Sequence, residues 1–340
     1  MILNSSDTVK LITENDRTTT TETKETVMKD SARTLVYEGS SRYVYRVAPG
    51  VLDFDFLDTF SCFDVGQHHQ EIPGKGVALC ACAVQSFKIA RQLGIDTHFI
   101  GQIDADCIRV QEFQILEPAE TSLETTGHIL PLELIDGSCV AGSLGRDFKS
   151  GKKKPMDFGF ETNDSPADGT PLFWPEQRYT TKREEYDRPL TPQEARDLAR
   201  ITEVEEDRLW RIIHRLNGGL SLVAAMAGFT RFDGKKEVGL VGPRRRPIIL
   251  DTFGTLDEDR FAPTAALREG EIIHFSKEMI REIFIANGYY DALMIARKNG
   301  QPDPPYPDLT PEQITEVSWR YHQFAEAYCS VKLGDVPGLG

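Results

Sequence analysis

From Leu35 to Val110 apolar residues recur at the two-residue period of half-buried strands, interrupted once by a stretch of helical period. Thr34–Tyr37 and Arg42–Val47 read as two arms of a hairpin around Gly39, the second alternating Tyr43 and Tyr45 with Val44. Pro49-Gly50 turns the chain, and Val51–Leu57 alternates as a third strand. The loop Ile72-Pro73-Gly74-Lys75-Gly76 then opens a helix. It runs from about Val77 to Leu93, with Leu79, Val84, Phe87 and Ala90 on its apolar side and Gly94 as its stop. Ile95–Ile100 and Arg109–Phe113 follow as short strands. The first 115 residues or so therefore predict a mostly antiparallel sheet with one helix packed on it.

Farther on, Pro131-Leu132-Glu133-Leu134-Ile135 has strand character and runs on to the small-residue turn Ala141-Gly142-Ser143. Such a turn presents unhindered N–H groups and a hydroxyl, which suit a phosphate or carboxylate, and it equally suits an ordinary turn. Ser150 to Asp168 is polar and reads as a surface loop. Thr191-Pro192-Gln193-Glu194 carries every mark of a helix start. Leu198, Ile201, Leu209, Ile212, Ile213 and Leu216 form the apolar stripe of a helix, or helix pair, ending at Asn217-Gly218-Gly219. Leu220–Gly228 then reads as a strand of small and apolar residues, with a hairpin around Asp233-Gly234 after it. Pro247–Leu250 is a strand delivering Asp251. Lys277–Phe284 is an amphipathic helix, and Thr310 caps a last helix that runs to about Val331.

Residues 1–31 are Thr-, Glu- and Lys-rich and predict a disordered arm. Across 340 residues the apolar and charged fractions, 40% and 27%, are those of a globular chain. Lys+Arg 39 against Asp+Glu 53 leaves a net charge of −14, which argues against nucleic acid or an anionic membrane as partner. An anionic substrate would need a local cationic pocket or Mg²⁺ held by carboxylates. The six cysteines form no CxxC pair, and no apolar run reaches membrane-spanning length, so the expected setting is cytoplasmic.

Taken in order, these pieces resemble the SAICAR synthetase (phosphoribosylaminoimidazole-succinocarboxamide synthase) family over roughly residues 35–330. The resemblance is carried by Glu38-Gly39-Ser40-Ser41-Arg42-Tyr43-Val44-Tyr45, Asp58…Ser61…Phe63-Asp64, Ile72-Pro73-Gly74-Lys75-Gly76, Pro131-Leu132-Glu133 and Ala141-Gly142-Ser143. Pro171-Leu172-Phe173, Leu250-Asp251, Asp257…Arg260-Phe261 and Lys277-Glu278…Arg281 complete it.

It implies an α+β protein of two lobes with a cleft between them. After the arm, residues 32–115 would form an antiparallel nucleotide-loop lobe and residues 116–333 a larger α/β substrate lobe. It implies a carbon–nitrogen ligase that uses ATP and Mg²⁺ to join a carboxy-aminoimidazole ribonucleotide to aspartate, often as a homo-oligomer. Carried over by position, Gly39, Ser40, Arg42 and Val44 would form the nucleotide loop. Asp64, Lys75, Gly142, Ser143, Lys182, Asp187, Asp257 and Arg260 would contact substrate, with Ser143 and Arg260 seating the ribotide 5′-phosphate. Glu133, Asp251 and Lys277 would be catalytic, Asp251 also a metal ligand.

Several departures point to a divergent member. Ser40 stands where the family has a loop lysine, Gly137 where it has an arginine, and Thr252 where it has a second acid. The family's Asp-x-Lys-x-Glu strand aligns, in the register read here, with Ala224, Met226 and Gly228. Each lost charge-assisted contact removes about 1.5–3 kcal/mol, so the ATP and Mg²⁺ site is expected to be degenerate. That expectation favours a role in specialised purine-derived nucleoside (coformycin/pentostatin-type) biosynthesis. The alternatives are a true SAICAR synthase and a non-catalytic ribotide-binding or scaffold protein.

Overall fold

The computed structural model describes residues 33–184 and 187–334, so the expected arm over residues 1–31 lies outside the described residues. Strands β1 (Thr34–Glu38), β2 (Arg42–Ala48) and β3 (Val51–Phe56) are followed by the small ribbon β4 (Thr59–Ser61) and β5 (Gln67–Glu71). Helix α1 (Lys75–Gln92) leads to β6 (Phe99–Asp104) and β7 (Cys107–Gln111). These build an antiparallel sheet, as the alternation predicts, and its order is β1-β2-β3-β7-β6. Asp58 accepts from the N–H groups of Gly74 (2.9 Å) and Gly76 (2.8 Å) and so anchors the start of α1.

A second sheet follows from β8 (His128–Ile129), β9 (Leu132–Cys139), α2 (Gly142–Lys149), β10 (Pro171–Thr181), β11 (Pro189–Leu190), α3 (Pro192–Ala199) and α4 (Glu203–Met226). Then come β12 (Phe229–Val241), β13 (Arg246–Leu250), β14 (Asp259–Pro263), α5 (Thr264–Arg268), α6 (Glu278–Ala286), α7 (Tyr289–Lys298) and α8 (Pro311–Cys329). Its path is β11-β10-β9-β12-β13, with β14 and β8 also pairing to β12. The chain is thus α+β, with antiparallel sheets and packed helices. The core joins α1, α4 and α8 through Phe87, Leu216, Leu220 and Phe324, and Cys80 and Cys82 pack within it as free thiols.

The strand expected over Ile95–Ile100 forms later, at Phe99–Asp104, and two elements differ in kind from the sequence reading. Leu220–Gly228 is not a strand: α4 continues through Gly218-Gly219 to Met226. A side chain at Gly219 would meet Leu93 at 2.8 Å and Ile89 at 2.9 Å, so this glycine lets α1 and α4 approach closely rather than ending a helix. The true stop is Gly228, at φ +87°. Nor does a hairpin form at Asp233-Gly234, for β12 runs straight through it. Gly234 is needed because any Cβ there would collide with the Asp259 carboxylate and the Arg231 guanidinium.

The helix starts match expectation. Thr191 and Glu194 close a reciprocal capping box (Glu194 N–H to Thr191 Oγ1 3.2 Å, Thr191 N–H to Glu194 Oε2 2.8 Å), as do Thr310 and Gln313 on α8. Thr191→Ala is expected to destabilise the protein by about 1 kcal/mol, read as a lower denaturation midpoint with unchanged slope.

Candidate active site

The continuous β12 puts Asp233, Lys235 and Glu237 on one face, at the two-residue spacing of a strand. This is the Asp-x-Lys-x-Glu pattern, nine residues beyond Ala224, Met226 and Gly228. Those three are a buried residue of α4, an exposed residue at its last turn and the glycine that ends it, so they say nothing about lost charge. The face is fully charged and each member is engaged. Asp233 accepts from Arg260 Nη1 at 2.7 Å, Lys235 Nζ lies 2.9 Å from Glu133 Oε1, and Glu237 pairs with Lys182.

Two neighbouring hollows open on this face and share Lys235, Asp257, Glu258, Lys277 and Arg281. The larger, of about 360 Å³, gathers Ser143, Arg146, Arg178 and Arg260. Ser143 is in the first turn of α2, where N–H groups stand free for an anion. Its hydroxyl accepts from Arg178, and the Arg260 guanidinium packs so tightly on Gly142 that a Cβ there would collide with it. Ser143 and Arg260 therefore meet across one hollow, as the sequence predicts. Arg146 lines it with no ion pair among the described residues. Six cations and six acids line this hollow in all. Locally the global −14 is cancelled, and guanidinium placement rather than net field selects the anion.

On the other flank Arg42 Nη1 lies 2.5 Å from Asp251 Oδ1, at an angle that leaves this buried oxygen without a formal hydrogen bond. Arg42 also donates to the Thr252 hydroxyl (3.2 Å) and rests on the Phe54 ring. Asp251 and Glu237 are neighbours. Burial together with the Asp251 charge pushes Glu237 up to about 8. Although burial opposes it, Arg42, with Lys182 and a hydrogen bond from Glu237, holds Asp251 far below the usual carboxylate range. Two carboxylates pressed together in this way share one proton. With Glu258, whose buried Oε2 lies 3.4 Å from Lys235 Nζ, these carboxylates make a donor set that is all hard oxygen and fits Mg²⁺.

A family model for SAICAR synthetase matches residues 35–294, more than half of the chain. This chain belongs to the SAICAR synthetase family. Carbon–nitrogen ligases make up that family. Among similar proteins is the phosphoribosylaminoimidazole-succinocarboxamide synthase of Thermoplasma volcanium, 36% identical over 81% of this chain and 92% of the relative. The Thermoplasma acidophilum enzyme is 35% identical over 86% and 94%. The fold is similar to that of Saccharomyces cerevisiae SAICAR synthase complexed with SAICAR (TM-score 0.67, 18% identity, 92% of this chain and 98% of that one). It is also similar to a SAICAR synthetase in complex with ADP (TM-score 0.57, 22% identity, 79% and 99%).

Within this family member the remaining expected residues are placed as follows. Lys75 is 1% exposed and committed to Asp257 (2.8 Å) and to the Thr59 carbonyl (3.1 Å). Asp257 also accepts from Tyr321 on α8 at 2.6 Å. Burial would raise Asp257, but Lys75 and Tyr321 pull it below the ordinary range. Lys277 reaches both hollows without an ion pair among the described residues, and burial lowers its pKa. Asp64 lines the smaller hollow, of about 220 Å³, on the left-handed pair Phe63 and Asp64 (φ +56° and +57°). Asp187 lines the larger, its pKa raised by burial and by Glu133.

Ser40 sits at the smaller hollow with its hydroxyl on Ser61 (2.8 Å). Gly39 makes the turn, its N–H on the Arg42 carbonyl (2.9 Å), and Val44 packs in the core and lines neither hollow. Sequence reasoning missed Asp233, Lys235, Glu237, Glu258, Arg146 and Arg178. The first three stood in plain alternation; Arg178 could have been found from the alternation Glu176-x-Arg178-x-Thr180 on β10.

Gly142→Ala tests the expectation that Ser143 and Arg260 seat a phosphate. The position has φ +52° and the methyl would drive Arg260 off the hollow. Ribotide affinity measured by calorimetry is expected to fall about tenfold or more, with ADP affinity unchanged.

Proposed function

We propose that this protein is a SAICAR synthase, joining the carboxylate of a carboxy-aminoimidazole ribonucleotide to the amine of aspartate with consumption of Mg-ATP. The observation that carries this reading is the intact Asp233, Lys235, Glu237 face between a guanidinium-lined hollow and the Arg42–Asp251 flank. A carboxylate becomes an acylating agent only when one of its oxygens is made a leaving group, and transfer of the ATP γ-phosphoryl does that. The aspartate amine then attacks the acyl carbon and phosphate departs.

In this reading Ser143, Arg146, Arg178 and Arg260 hold the ribotide phosphate, Arg178 and Arg260 as planar forks. Gly39, Ser40 and Arg42 approach the nucleotide phosphates. Glu237 and Asp251, with Glu258 near, would hold Mg²⁺, which offsets charge on the phosphoryl group being transferred. Lys235 and Lys277 face the carboxylate and its phosphorylated form, where added negative charge strengthens their hold.

The specialised-nucleoside reading rested chiefly on the missing charged strand and loses that support. Ser40, Gly137 and Thr252 still depart from the family pattern, and they define its remaining test. Purified protein is mixed with the carboxylated ribotide, Mg-ATP and either aspartate or another amine, and ADP release and the succinocarboxamide product are followed. Product that requires aspartate is expected. ADP and ribotide binding with turnover only on a different amine would overturn the proposal in favour of the specialised reading.

A further inference from the structure

Asp251 breaks with the strand that delivers it. It follows β13 directly, yet it stands at φ +54°, the left-handed region that a residue with a side chain enters only at a cost. The conformation has a visible use. Neighbours on an extended strand point to opposite sides, but here Asp251 and Thr252 both meet Arg42, the carboxylate at 2.5 Å and the hydroxyl at 3.2 Å. The left-handed turn brings two consecutive side chains to one guanidinium. Such strain persists only where surrounding groups hold it. The holding group lies on the segment between α1 and β6. His98 Nε2 is 3.2 Å from the Asp251 carbonyl. A carbonyl only accepts, so in this bond that nitrogen carries the proton. No other hydrogen bond reaches this carbonyl among the described residues. The His98 main chain grips the same strand end: its N–H donates to the Ile249 carbonyl (3.3 Å), and the Ile249 N–H donates to the Asp96 carbonyl (3.0 Å).

We infer that His98 is a positioning residue for the metal flank: its ring N–H holds the Asp251 peptide in the left-handed turn, and the turn aims the carboxylate at Arg42 and Glu237. This rests on the reading of Asp251 and Glu237 as Mg²⁺ ligands. His98 lines neither hollow and acts through the backbone of another residue. Its own place is well fixed. The residue is 5% exposed, and its ring packs on Phe54 and Phe87, with centroids 5.8 and 5.9 Å away. Phe54 in turn carries the Arg42 guanidinium over its face at 4.5 Å, so one ring sets both the cation and the holder of its carboxylate partner. Without the His98 bond the carbonyl has no donor, the turn relaxes towards extended backbone, and the carboxylate swings off Arg42.

The test pairs His98→Gln with His98→Met. The two side chains are of nearly equal length and volume, and only glutamine offers an N–H at the reach of Nε2. Crystal structures and calorimetric titrations of the full chain are compared. His98→Met is expected to lose the positive φ at residue 251 and to bind Mg-ADP about tenfold or more weakly, with ribose 5-phosphate affinity unchanged. His98→Gln is expected to restore both the turn and the affinity. Asp251→Asn keeps a side chain that tolerates the left-handed region and loses the charge, so it is expected to weaken Mg-ADP by itself. Wild-type affinity in D251N would remove Asp251 as a metal ligand and this inference with it. A weakened D251N beside an unaltered H98M would overturn the role of His98 alone. Should H98M not fold, the ¹⁵N-histidine spectrum of the unsubstituted protein carries the test. The His98 resonances, identified by their absence in H98Q, are expected to place the proton on Nε2. A proton on Nδ1, an Asp251 still left-handed in H98M, or a loss of Mg-ADP affinity that glutamine does not restore would each overturn the inference.

Discussion

Glu237→Gln is expected to lower kcat/KM for Mg-ATP by about 10²–10³-fold while leaving ribotide affinity within a factor of a few. The change is nearly isosteric and keeps an acceptor for Lys182, so the β12 register and the fold persist. It removes one of the two carboxylates that crowd together beside Arg42, and with it a hard anionic oxygen for Mg²⁺. A carboxamide has no proton to give up, so it cannot become the charged ligand that Glu237 supplies when Mg²⁺ displaces the shared proton. Steady-state kinetics at varied ATP, beside a melting curve to confirm folding, is the measurement. A variant with wild-type kinetics would mean that the charged face of β12 takes no part in nucleotide use.

Arg260→Met is expected to weaken ribotide binding by about 10²-fold without altering ADP affinity. Arg260 donates to Asp233 at 2.7 Å and to Glu278 at 3.2 Å, while its guanidinium covers Gly142. Truncation removes the proposed fork-shaped phosphate partner and strands the buried Asp233 and the half-buried Glu278 carboxylates, losses commonly of about 2–5 kcal/mol together. Part of this falls on stability, so Arg260→Lys is the companion variant. It keeps the charge beside Asp233 and Glu278 and loses only the planar fork. Calorimetric titration of ribotide into both variants separates the two contributions: an arginine acting only as a structural ion pair would be rescued fully by lysine.

How the Ala141-Gly142-Ser143 turn was legible, and the charged strand was not, comes down to glycine. Ala141-Gly142-Ser143 is local: turn, helix start and hydroxyl lie within a few residues, so their chemistry can be read without knowing what packs on them. Gly218-Gly219 and Gly234 look alike on paper, a helix stop and a turn. In the fold both are close approaches, Gly219 to Leu93 and Ile89, Gly234 to Asp259 and Arg231. Reading the first as a stop moved the expected strand nine residues early and emptied it of charge.

Local chemistry alone determined much of this protein. The hairpin and third strand, α1 with its Gly94 stop, and the capped starts at Thr191 and Thr310 all follow from neighbouring residues and their periods. Tertiary structure decided which glycines turn the chain and which only make room. It also decided that Asp58 anchors α1, that Lys75 is committed to Asp257, and that Arg178 donates to the Ser143 hydroxyl. The reason is reach. Caps and periods are set over three or four residues, whereas a close approach or an ion pair depends on a partner dozens to hundreds of residues away.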